Sequence, residues 1–163
     1  MTNYWPAGLL AVLAVAGCGP ASTAATTTAQ QAHAGPVPGG PVPASAIHRL
    51  TALAERAVKA TEGHGVTWAS VVVTTRAKAL TSATPGDFVP HDQKTVVDLV
   101  TIKGHFTAVL ASGPPGAKAP RGTYLSVVIG AKTFAGLDNG LGSKAPPVRP
   151  SSLGPVTYLK VQR

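Results

Sequence analysis

The chain has 163 residues, a length suited to one small domain, and it is basic, with 14 Lys and Arg against 6 Asp and Glu and a net charge of +8. Charged residues make up 12% and aromatic residues 5%, while 44% are hydrophobic, a balance that excludes disorder along the whole chain. All 14 Lys and Arg lie from Arg49 onward, spaced singly and without aromatic stacking motifs beside them. That spacing disfavours nucleic acid as a partner and suits a domain surface facing an anionic cell envelope.

Ala7 to Gly17 is an apolar stretch of 11 residues. A helix crossing a bilayer needs about 20, so this run has the length of a signal-peptide core instead. It ends in small residues, followed by Cys18, Gly19 and Pro20, and Cys18 is the only cysteine in the chain. Val15-Ala16-Gly17-Cys18 resembles the lipobox of bacterial lipoproteins. The resemblance implies a signal peptide over residues 1–17, a diacylglycerol thioether on Cys18, and cleavage before that residue by the lipoprotein signal peptidase. Its implied partner is membrane lipid and its implied location the extracytoplasmic face of the cell membrane, where two acyl chains anchor durably. Met1 to Pro6 departs from the usual pattern in having no Lys or Arg.

Residues 18–44 are rich in Ala, Thr, Gln, Gly and Pro and are expected to form a disordered tether, spanning roughly 30 Å on average. His33 belongs to it. The domain is expected over residues 45–163. Ser45 is placed to cap a helix in which Ile47, Leu50, Ala54, Ala57, Val58 and Thr61 recur at helical spacing. Glu55 and Lys59 form an i,i+4 pair on its outer face. Gly63 and Gly65 end it.

Strand patterns follow. Thr67–Thr75 is rich in β-branched residues, and Thr95–Phe106 alternates Val96, Val100 and Ile102 against Val97, Leu99 and Thr101. Thr123–Ile129 is a third, Thr133–Leu137 a fourth after a short turn, and Val156–Val161 a final short one. Turn residues punctuate the connections at Thr84–Asp87, Gly113–Gly116 and Asp138–Gly140. With no helix between strands, the expected fold is α+β: one N-terminal helix on an antiparallel sheet of four or five strands.

Tyr124 to Leu137 resembles the hairpin of PepSY domains, and the element order is similar to cystatin-like α+β folds. Thr133 matches the hairpin pattern, whereas Gly130 stands where an acid is usual and Phe134 where a glycine is usual. The resemblance implies a binding or inhibitory module.

No pattern in the sequence amounts to a catalytic site, and none implies a cofactor or a metal. A lipidated Cys18 is no nucleophile, and no Gly-x-Ser-x-Gly turn occurs. His33, His48, His64, His91 and His105 form no metal-ligand spacing. Asp98 interrupts an apolar strand on the face of Val96 and Val100, where it is either a core group needing a partner such as Arg76, Lys103 or a backbone donor, or, more simply, an edge charge. Gly140–Lys144 lacks the spacing of a phosphate loop, and Asp138-Asn139-Gly140 reads as a tight turn. Trp68, Phe106, Tyr124 and Phe134 are expected as core packing; an exposed cluster of them would instead mark a groove for peptide, glycan or lipid. The leading expectation is a non-catalytic, membrane-anchored binding module for an envelope protein, peptide or glycan. The alternatives are a small enzyme using His91, Asp92, Asp98 or His105, and a spacer or assembly subunit of an envelope complex.

Overall fold

The computed structural model describes residues 35–84, 92–108 and 118–162. The signal segment with Val15, Ala16, Gly17 and Cys18, most of the tether, and His91 lie outside the described residues.

The described residues form an α+β fold with two α-helices and one antiparallel sheet. α1 spans Ala44–Ala60, β1 His64–Thr75, α2 Arg76–Ala83, β2 Val96–Thr107, β3 Arg121–Gly130, β4 Gly136–Gly142 and β5 Thr157–Leu159. The five strands lie in the order β4-β3-β2-β1-β5. β2 is thus central, with both ladders satisfied by its neighbours.

α1 buries Ala46, Leu50, Ala54 and Val58, a stripe at four-residue spacing. It lies on the face of the sheet that carries Val71, Val73, Val100, Ile102, Leu125 and Ile129. Ser45 does not cap the helix: Pro43 occupies the N-cap, with no side-chain hydrogen bond, and helical residues begin at Ala44. Proline, lacking an N–H, suits a helix start where donors have no intrahelical partner. Glu55 is also used differently from expectation. Its Oε1 accepts the Gln162 backbone N–H at 3.0 Å, fastening the C-terminal segment to α1.

The C-terminal end of α1 is a Schellman turn. Gly63 N–H donates to the Val58 carbonyl at 2.7 Å and Glu62 N–H to the Lys59 carbonyl at 3.2 Å. Glu62 holds the left-handed position, with φ at 47°. Gly63 is required on space, because a Cβ there would lie 2.7 Å from the Phe106 ring.

The tether's last residues differ from expectation. Val37–Gly40 is a tight turn closed by Gly40 N–H to the Val37 carbonyl at 2.8 Å, with Gly39 at φ 75°. Gly39 N–H donates to the Val73 carbonyl, also at 2.8 Å, and Val42 is buried against the α1 core. Order therefore precedes Ser45, since Val42 supplies apolar burial and Pro38 and Gly39 suit the turn.

α2, unforeseen in the sequence, follows β1 without a linker. It packs Ala79 and Leu80 on the second sheet face, against Val72, Val97, Leu99 and Val128. Arg76 at its start grips Asp138 of β4 through Nε at 3.2 Å and Nη2 at 3.0 Å. Its end presses on β4, where a Cβ at Gly140 would meet the Ala83 carbonyl oxygen at 2.5 Å. Asp138-Asn139-Gly140 is consequently mid-strand rather than a turn. The expected strand at Thr133–Leu137 is displaced to Gly136–Gly142, because Phe134 adopts φ 57° in the turn linking β3 to β4. There the Phe134 ring lies 4.3 Å beneath the Arg49 guanidinium.

Candidate binding face

The second sheet face is covered by α2 at one end only. Along the rest of it, side chains alternate outward from three central strands. Trp68 on β1, Lys103 on β2 and Tyr124 on β3 are in register, and Ser70, Thr101 and Ser126 form the next row. Tyr158 on β5 pairs with Ser70 and Gly140 on β4 with Ser126, so the row spans the sheet, with hydroxyls from β5 to β3.

Trp68 and Tyr124 are half-buried, and their rings meet edge to face across Lys103 with centroids 6.4 Å apart. Of the four aromatic residues expected in the core, Phe106 is there, at 2% exposure. Trp68 and Tyr124 are not: the alternation that buries Ala69 and Leu125 under α1 turns their neighbours to the opposite face. Tyr158 is 73% exposed, the largest exposure among the big apolar side chains of the described residues.

The segment from Ser143 to Pro150 runs over this face as a strap. Tyr124 and Ser126 line a hollow of about 350 Å³ with Pro146 and Pro147, and Trp68, Ser70 and Tyr158 line one of about 370 Å³ with Arg149 and Pro150. Ser82 Oγ donates to the Val148 carbonyl at 3.0 Å, tying the strap to α2. Under it Ser70, Thr101 and Ser126 are buried, and Thr101 Oγ1 has no hydrogen-bond partner. A buried hydroxyl left unpaired costs about 1–3 kcal/mol. The face thus combines flat aromatic surface, a cation and hydroxyl groups beside two open hollows. It can hold a ligand with apolar patches and polar edges.

The residues singled out for catalysis are not brought together. Asp98 lies on the α1 face, between Val73 of β1 and Ile129 of β3 in register, and is 2% exposed. It is therefore no edge charge; the central position of β2 puts it in the core. Of the expected partners, neither Arg76 nor Lys103 reaches it. Arg76 is engaged with Asp138, and Lys103 is exposed in the Trp68 row on the other face. Desolvation raises the Asp98 pKa from 3.8 to about 6. His105 lies seven residues further along β2, about 20 Å away at about 3.3 Å per residue. Asp92 is exposed before the opposite end of that strand, with φ at 62°. Among the described residues no three His, Cys, Asp or Glu side chains group as metal ligands, and no helix is long and apolar enough to cross a membrane. No protein-family model, curated protein or solved structure matches this chain.

Proposed function

We propose that this chain is a lipoprotein of the bacterial envelope, anchored to membrane lipid through Cys18 with its domain on the extracytoplasmic face. The domain acts as a non-catalytic binding module for a peptide or glycan. The observation that carries the reading is the Trp68–Lys103–Tyr124 row. A sheet face that served only stability would have its aromatic groups covered, as α1 covers the other face, yet here Trp68, Tyr124 and Tyr158 border open hollows. Aromatic faces stack on the apolar faces of sugars or peptide side chains, and the exposed Lys103 supplies polar anchoring. The wide separation of Asp98 from His105 also favours binding over the enzyme alternative, since catalysis requires groups fixed within hydrogen-bond reach.

Two measurements test the proposal. Growth with an alkyne fatty acid should label the wild-type protein and leave Cys18→Ala unlabelled; label retained by the variant removes the anchor from the reading. A photo-reactive side chain at Tyr158 should capture a partner in intact cells. The same group at Arg56, exposed on α1, should not. Equal capture from both positions would mean that the Trp68 face is not the binding surface.

A further inference from the structure

At the end of the sheet where β1 begins and β2 finishes, cationic groups gather without an acidic partner. His64 and His105 are cross-strand partners whose rings stack with centroids 5.5 Å apart at an interplanar angle of 28°. With Thr107, Arg121 and Ser143 they border an open hollow of about 440 Å³. Thr107 and Arg121 also border an adjoining hollow of about 600 Å³, walled further by Lys118. Among the described residues no acidic side chain lines either hollow, and Arg121 has no ion pair. The sequence around them agrees: between Asp98 and Asp138 it contains no Asp or Glu, but four cations, Lys103, Lys118, Arg121 and Lys132.

The histidine pair has a defined polarity. His64 Nδ1 lies 3.3 Å from the Glu62 carbonyl oxygen, which can only accept, so Nδ1 carries the proton and Nε2 is the remaining nitrogen. The charged groups around the pair are Arg121 on β3, Lys118 ahead of it, and Glu62 at the end of α1, whose side chain is exposed and lines neither hollow.

We propose that this hollow binds the phosphate group of a ligand, gripped by Arg121 with the stacked His64–His105 pair beside it. Phosphate suits it better than a carboxylate does. It presents more acceptor oxygens and up to two charges to donors converging from three strands, and the planar guanidinium matches its geometry. The adjoining hollow with Lys118 leaves space for the rest of the ligand. This site adjoins the Trp68 face at Ser143, but its charged groups lie outside that face and the proposal does not rest on it.

The test uses the full chain in zwitterionic detergent with isotope-labelled histidine, titrated with inorganic phosphate and observed through the ring resonances. His64 and His105 should shift together and saturably, while His48, exposed on α1, stays still. Apparent affinity should fall about tenfold or more in Arg121→Gln. Short-chain phosphatidylglycerol is the second probe. A response to the lipid alone identifies a headgroup as the source of the phosphate; a response to inorganic phosphate identifies a soluble or polymer-borne one. No ring shift with either probe, or an unchanged response in Arg121→Gln, overturns the proposal.

Discussion

Asp98 makes a demanding test of the energetics, because it is a carboxyl at 2% exposure facing valine and isoleucine. Burial raises its pKa from 3.8 to about 6, so the fold favours the protonated form. The interval corresponds to about 3 kcal/mol at about 1.4 kcal/mol per unit, or about 2 kcal/mol once residual hydration of the carboxyl is allowed for. Between those two pH values the folded protein binds more protons than the unfolded chain, so stability falls as pH rises and levels off above about pH 6. Asp98→Asn keeps the shape and removes the ionisation. Urea unfolding of both proteins at about pH 4, 5, 6 and 7.5 isolates the group, since every other titrating residue is common to the two. The variant should be close to wild type near pH 4 and about 2 kcal/mol more stable near pH 7.5. A wild type that gains stability over the variant as pH rises would show that the ionised carboxylate is partnered, and the reasoning would fail.

Glu62→Gly should stabilise the protein by about 1 kcal/mol, because it relieves a left-handed non-glycine residue and removes a negative charge from a helix C-terminus; a rise in Tm of about 3 to 5 °C would record it. Gly140→Ala should cost about 2–3 kcal/mol by forcing α2 off β4, whereas Gly136→Ala, with open space around its Cβ, should be close to neutral in the same denaturation assay. Limited proteolysis should leave a core beginning near Gly35 rather than Ser45, as the Gly39 hydrogen bond and Val42 burial protect the intervening residues; terminal sequencing that finds Ala44 or later would contradict that.

The strands were legible where local pattern and burial coincide. Val71-Val72-Val73 is a continuous apolar run, and Val96–Ile102 is one broken by Asp98 and Thr101, because α1 and α2 cover opposite faces there, and α1 shows its stripe through Leu50, Ala54 and Val58. α2 escaped notice because it has only 8 residues and buries only Ala79, Leu80 and Ser82, too few turns to display a period. β4 was not legible because Gly140, a turn residue by type, answers to the approach of α2, a neighbour far away in sequence. Alternation put Asp98 on the same face as Val96 and Val100, but its burial follows from the central place of β2, which strand order decides. The candidate sites were least legible of all. Trp68 with Tyr124 and His64 with His105 are joined by register, and an irregularity between His64 and Trp68 shifts that register in a way spacing alone does not reveal.

The turn at Val37–Gly40 bears on how copies of this chain avoid one another. β5 pairs with β1 only from Ala69 to Val71, which leaves the outer edge at Val73 without a strand beside it. That edge belongs to Thr67–Thr75, a β-branched and uncharged run of the kind that templates cross-β growth. Gly39 takes the Val73 carbonyl, and the residues around it include Pro36, Pro38, Pro41 and Pro43, which have no N–H to offer a further strand. The Pro-rich segment thus leaves few backbone donors at this edge for a further strand to pair with. A chain shortened to Ser45 would lose Val42 from its core and present a bare valine edge, so its solubility would be set by nucleation between copies as well as by the stability of each.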